Sequence, residues 1–185
     1  MIIEGIITCD GEHGPQVSAL GPVVDESLSS WTLRPFQSSR IFTCLRSNPI
    51  CIFHVVDDAL PLVRLVLGQD HGLTLDSALE GGWIIREACQ WYRLEVTHWD
   101  LSHLRSEAQA RLVNRGQLKP FWGWNRAKHA LLEAAILISR AHLMPPSELT
   151  AELERLKSPI EKTAGLSELA AWQLIERWRT AQGLV

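Results

Sequence analysis

The sequence contains no Walker loop, no Gly-x-Gly-x-x-Gly fingerprint, no nucleophile elbow and no His-Glu-x-x-His motif. Kinase, nicotinamide-Rossmann, hydrolase and zincin chemistries therefore lack their usual supports. Basic excess is missing too: 18 Lys and Arg against 21 Asp and Glu give a net charge of -3. A nucleic-acid binder needs an electropositive footprint, so nucleic acid is not an expected partner. The four cysteines, Cys9, Cys44, Cys51 and Cys89, form no C-x-x-C pair, and no histidine stands at zinc-finger spacing from them. They are expected as reduced thiols, with no metal site. No apolar run reaches the roughly 20 residues that cross a bilayer, because Arg64 interrupts one hydrophobic segment and Glu133 with Arg140 another. Glu4 occupies the stretch where a signal peptide carries basic charge. These absences predict a soluble, cytoplasmic protein with no membrane association.

What is present is enough for a real core. The 185 residues are 46% hydrophobic, which suits one domain or one domain with an appendage. Eight Trp stand against one Tyr and four Phe, so most planar apolar surface comes from indoles, each with one hydrogen-bond donor.

The first part of the chain reads as strands. Ile2 to Thr8 and Gln16 to Val24 flank the turn-forming stretch Asp10 to Pro15, which predicts a hairpin. Trp31 to Pro35 predicts a third strand, ended by a proline that cannot donate to a ladder. Ser38 or Ser39 offers an N-cap for a short helix from Arg40 to Arg46, closed by Asn48-Pro49. A strand over Ile50 to Val56, a short helix over Leu60 to Leu67 ended by Gly68, and strands over Ala88 to Val96 and Ala108 to Leu118 complete this part.

From Trp124 the period becomes helical. Ala127, Leu131, Ala134, Ile138 and Ala141 form one stripe, and Pro145-Pro146 ends it. Ser158-Pro159-Ile160-Glu161 combines a capping-box pattern with Pro at a first helical position, and so predicts a new helix. Gly165 would break that helix, and Ser167 would cap a last one running to about Ala181. The expected class is α+β, mainly β: a β-rich domain over 1-119 followed by a helical portion over 120-185.

Two stretches could hold an anion. Leu33 to Arg40 places Arg34, Arg40, Ser38 and Ser39 at a predicted helix start, where outward N–H groups and the helix dipole favour negative charge. A plain capped helix with solvated arginines explains the same spacing. Trp122 to His129 puts cationic and amide donors at the start of the long helix, with His129 one turn from Glu133, a spacing that suits a proton-transfer pair or two ligands of a metal, although only two ligands are visible. A solvated, salt-bridged face is the simpler reading there. His54, inside the apolar strand, reads as a satisfied core histidine, and Asp57-Asp58 as a solvated turn.

Three stretches taken together resemble a known family: Met1-Ile-Ile-Glu-Gly-Ile6 with Leu20-Gly-Pro-Val23, Leu33-Arg-Pro-Phe-Gln-Ser-Ser-Arg40, and Phe121-Trp-Gly-Trp-Asn-Arg-Ala-Lys-His-Ala-Leu-Leu-Glu-Ala-Ala135. The chain resembles a branch, of unknown function, of the flavin-reductase-like, FMN-binding split-barrel superfamily. The resemblance implies a split β-barrel followed by helices, a homodimer, and FMN near the subunit interface. It implies the FMN phosphate against Ser38, Ser39 and Arg40, with Arg34, Pro35 and Phe36 near the flavin ring and ribityl chain, and with Gly21 and Pro22 letting backbone approach the ring. Trp124, Asn125 and His129 are implied for the ring slot; packing of the helical portion accounts for that stretch equally well. The family pattern has Thr and Asn where this chain has Ile41 and Cys44, which removes one hydroxyl contact to phosphate. The implied function is an FMN-binding oxidoreductase passing electrons or hydride from a reduced donor to a small acceptor, its catalytic residues unassigned. The alternative is a non-catalytic FMN-binding module for storage, sensing or assembly.

Overall fold

The computed structural model describes residues 1–78 and 81–184, in two compact units. One comprises Met1–Val56 and Leu73–Phe121, the other Asp57–Gly72 and Trp122–Val185. The helical unit thus also takes in a segment that lies inside the range 1-119.

The first unit is a seven-stranded antiparallel sheet. Its strands are β1 (Gly5–Gly11), β2 (Gly14–Leu20), β3 (Val23–Val24), β4 (Ser30–Leu33), β5 (Ile50–Val55), β8 (Gln90–Asp100) and β9 (Glu107–Gln117), arranged β2-β1-β5-β8-β9-β4-β3. A small ribbon of β6 (Leu75–Ser77) and β7 (Trp83–Ile85) forms a second, two-stranded sheet. The expected hairpin forms, with Gly11 paired to Gly14 across a tighter turn than Asp10 to Pro15. The sheet's far edge is not left open. Ile2 bridges to Val23, the Met1 amine and carbonyl pair with Val24, and the Ile3 N–H donates to the Pro22 carbonyl at 3.2 Å. Since residues 1 to 3 run straight into β1, the chain curls the sheet back on itself and covers the β3 edge, which would otherwise invite pairing.

Alternation along β1 and β5 explains their nearly continuous apolar sequence. Ile7, Cys9, Cys51 and Phe53 face an interior cluster with Trp31, Leu33, Tyr92 and Leu94. Ile6, Thr8, Ile52 and His54 alternate with them and are equally buried, with β7 packed against both strands. Trp31 stacks obliquely on Phe53 and Tyr92 at 5.4 and 5.2 Å and donates its indole N–H to the Leu28 carbonyl at 2.8 Å. Gly5 is required where it stands, because a Cβ there would strike the His54 carbonyl and lie 2.6 Å from the Phe53 ring. The helix α1 (Arg40–Ser47) buries Ile41, Cys44 and Leu45 in the same interior.

The expectation of four reduced thiols fails for two of them. Cys9 and Cys44 are a disulfide pair, with Cα atoms 6.6 Å apart. Packing of α1 against β1 brings the two together across a separation of 35 residues, a proximity that leaves no spacing motif. Cys51 remains a buried thiol, pushed up to about 12 by loss of solvent, and therefore unreactive.

The second unit packs α2 (Leu60–Val66), α3 (Arg126–Ser139), α4 (Pro146–Thr163) and α5 (Leu166–Ala181). The α3 stripe of Ala127, Leu131, Ala134 and Ile138 meets Leu149 and Leu153 of α4 and Trp172 and Ile175 of α5. The new helix expected at Ser158-Pro159 does not start there: Pro159 lies inside α4, which begins at Pro146. Pro146 fits a first turn that has no intrahelical use for its N–H, and burial of Leu149, Leu153 and Ile160 offsets the bond that Pro159 cannot make. Ser167 does not cap α5 either. Gly165 precedes that helix and donates its N–H to Glu168 at 2.8 Å, while the Ser167 hydroxyl donates to Asp58 at 2.8 Å. Asp58, expected in a solvated turn, also accepts the Leu60 N–H at 2.9 Å and so ties α2 to α5. No helix among the described residues is long and apolar enough to cross a membrane.

Candidate functional site

The segment from Arg34 to Arg40 joins β4 to α1, and its geometry follows from its caps. Ser39 is the N-cap: its hydroxyl accepts the Phe42 N–H at 3.3 Å and donates to the Phe36 carbonyl at 2.6 Å. The Thr43 N–H reaches the Ser39 carbonyl at 3.3 Å and begins the helical ladder. The Arg40 and Ile41 amides, in the first turn, have no intrahelical acceptor, and the Ser38 hydroxyl and Arg40 side chain beside them are exposed. Arg34 reaches back to Glu107, with its Nε 3.4 Å from the carboxylate, and that Nε is buried without a hydrogen bond.

A neighbour that sequence reasoning missed completes this wall. The tip between β8 and β9, Leu101 to Ser106, is stitched to the segment at several points. The Gln37 side-chain amide donates to the Leu101 and His103 carbonyls at 3.1 and 2.6 Å, and its backbone N–H to the Leu104 carbonyl at 3.1 Å. Ser106 donates its N–H and its hydroxyl to the Pro35 carbonyl at 3.1 and 2.8 Å. Arg105 donates from Nε to the Arg34 carbonyl at 3.0 Å and lays its guanidinium over the Phe36 ring, 5.4 Å from the centroid. Some seventy residues separate these partners, so only the Asp100–Glu107 pairing that closes the hairpin could have signalled it.

Gly21 and Pro22 lie at the seam that closes the sheet. Pro22 is buried, and a Cβ on Gly21 would come within 2.6 Å of the Glu4 carboxylate, so the backbone approaches that side chain closely.

In the helical unit the start of α3 is differently occupied. The Asn125 side-chain oxygen accepts the Ala127 and Lys128 N–H groups at 2.9 and 3.1 Å, and its nitrogen donates to the Thr163 carbonyl at 3.1 Å. The Thr163 hydroxyl takes a second share of the Ala127 N–H at 3.0 Å. His129 is exposed on the first turn, its ring 6.4 Å from that of Trp124, which is 91% exposed.

His54 is the buried histidine of the β-unit, and both its nitrogens are engaged. Nε2 accepts the Ile85 N–H at 3.1 Å, which leaves the proton on Nδ1, 3.2 Å from the Ile6 carbonyl. Loss of solvent lowers its pKa to about 4, partly countered by hydrogen bonds to backbone, so it is neutral near pH 7. It ties β1, β5 and β7 together, as a satisfied core histidine should.

The family model of the N-terminal domain of a protein of unknown function, DUF447, matches residues 3–119, and the model of the C-terminal part of DUF447 matches residues 125–177. Among solved structures the chain is similar to an FMN-bound DUF447 protein from Methanosarcina mazei, with a TM-score of 0.81, 21% identity, and 95% of this chain and 94% of that one covered. It is similar to the styrene monooxygenase flavin reductase from Pseudomonas putida S12, with a TM-score of 0.52, 14% identity, and 63% and 82% covered. It is also similar to an FMN-binding protein from Thermus thermophilus, with a TM-score of 0.54, 10% identity, and 63% and 70% covered. No curated protein matches the chain. The expected α+β class, a split barrel followed by helices, is borne out by the observed sheet and by these likenesses.

Proposed function

The chain belongs to the DUF447 family, which its N-terminal and C-terminal models match in turn, and on that premise we propose that it binds FMN with the phosphate at the start of α1 and serves as an FMN-dependent oxidoreductase. The observation that carries the reading is the Arg34-to-Arg40 segment. Two first-turn amides without intrahelical acceptors, an exposed serine hydroxyl and the Arg40 guanidinium converge on one helix start. A phosphate dianion requires such charge-assisted donors, and the helix dipole adds to them. FMN, when bound, would supply reversible acceptance of two electrons. The chain's own part is binding and orientation. Ser38, Arg40 and the Arg40 and Ile41 amides would hold the phosphate, Ser39 would fix the helix start, and Arg34, Pro35 and Phe36 would line the ribityl and ring side. Gly21 and Pro22 would offer backbone to the ring.

Asn125 would act chiefly through the α3 start that it caps, with Trp124 and His129 as exposed aromatic and proton-bearing groups beside it. A homodimer, in the cytoplasm, completes the proposal, because a flavin on a small barrel gains shielding from a second subunit. Light scattering with saturating FMN should give twice the 20.8 kDa of one chain. Anaerobic mixing of the FMN-loaded protein with NADH or NADPH tests turnover. Bleaching of the flavin absorbance supports the oxidoreductase, and an unbleached flavin with both donors favours the non-catalytic module. His54 takes no part in either reading, because both its nitrogens are engaged with backbone in the core.

A further inference from the structure

Phe36 presents 57% of its surface to solvent, an unfavourable place for a benzyl side chain. It is nevertheless held. Its backbone bridges to Arg105, and the Arg105 guanidinium covers one face of its ring at 5.4 Å while Nε is anchored on the Arg34 carbonyl. The tip that carries Arg105 is itself fastened through Gln37. An aromatic ring that is exposed yet fixed in orientation, with a cation over one face, has its other face preset for a second flat ring.

We propose that Arg105 is a positioning residue that holds Phe36 as a stacking platform for the flavin ring. This rests on the FMN reading above and deepens it, since it separates a ring-binding role from the phosphate-binding role of Arg40. The guanidinium draws on the negative face of the phenyl ring and fixes its tilt, so less side-chain freedom is lost when a ligand stacks on it. Arg105 acts through Phe36 and needs no contact with the phosphate.

The test is a double-mutant cycle on Arg105→Ala and Phe36→Leu, read as dissociation constants for FMN and for riboflavin by flavin fluorescence quenching. The Gln37 and Ser106 bonds still fasten the tip when Arg105 is truncated, and Phe36→Trp serves as the variant that keeps an aromatic platform. Arg105→Ala is expected to weaken both flavins alike, by about threefold to fivefold. Phe36→Leu should weaken both by about tenfold, with Phe36→Trp staying within about twofold of wild type. The double variant should be no weaker than Phe36→Leu alone. The proposal is overturned if Arg105→Ala changes neither flavin, if it weakens FMN only, or if the two losses multiply in the double variant. A wild-type chain that binds neither flavin overturns the FMN reading itself. A phosphate-specific loss in Arg40→Ala beside an unaffected Arg105→Ala removes the platform alone.

Discussion

The two units each open a helix from a polar cap, and the two starts differ in what they leave for a ligand. At α3, Asn125 and Thr163 take up the Ala127 and Lys128 amides, so two of the three first-turn amides ahead of the ladder are spent within its own unit. At α1, Ser39 satisfies only Phe42 and leaves the Arg40 and Ile41 amides without an intrahelical acceptor, beside the exposed Ser38 and Arg40 side chains. In sequence both read as an anion site, because both place basic residues at a capped start. The number of first-turn amides already spent on the protein separates a structural cap from a binding site, and that number depends on Thr163, 38 residues from Asn125.

The largest expected effect bears on the β-unit. Unfolded His54 takes up a proton near pH 6.5, whereas burial holds the folded value at about 4. Between those values the unfolded chain binds more protons, so stability is fully present above about pH 6.5 and falls as the pH drops toward 4, by about 3 kcal/mol. Urea unfolding at pH 7 and pH 4.5, followed by the β-sheet signal, should record that loss, and a His54→Gln variant should lose the part of the slope due to this residue. An unchanged midpoint in the wild type would mean that His54 does not sit neutral between Ile6 and Ile85.

Next come the two helix starts. Arg40→Ala should raise the FMN dissociation constant by tenfold or more, since a charge-assisted bond to phosphate is worth roughly 1.5 to 3 kcal/mol. Its thermal midpoint should stay close to wild type, because Arg40 is exposed. Asn125→Ala should behave in the opposite way. Loss of its cap costs about 1 kcal/mol of stability, seen as a lower unfolding midpoint, with FMN affinity little changed. Smallest is Ser38→Ala, which removes one neutral hydroxyl; a loss of about 1 kcal/mol or less, roughly fivefold in FMN affinity by titration, is expected.

Much of this fold was legible in the sequence because its period is local. The N-terminal hairpin, β4, α1 capped by Ser39, β5, α2 and the α3 stripe all follow from alternation, caps and turn residues within a dozen positions. Three features were not. Pro159 carried a start signal, yet α4 runs through it, because three buried apolar side chains hold the helix on its neighbours. Cys9 and Cys44 meet only once β1 and α1 are placed. Arg105 and Ser106 enter the candidate site only through the hairpin tip, whose contacts with Arg34, Phe36 and Pro35 are long-range in sequence. Ser38, Ser39 and Arg40 were legible as a group, but their roles divide only in three dimensions: Ser39 spends its hydroxyl on the helix, while Ser38 and Arg40 point to solvent.

The most direct test compares the ratio of riboflavin to FMN dissociation constants in three proteins: wild type, Arg40→Ala and Asn125→Ala. That ratio isolates the phosphate, because the two ligands share the ring and ribityl chain. With the phosphate at the α1 start, FMN binds the wild type much more tightly than riboflavin, Asn125→Ala keeps that preference, and Arg40→Ala loses most of it. A preference kept by Arg40→Ala and lost by Asn125→Ala would place the phosphate at the other helix start and contradict the account.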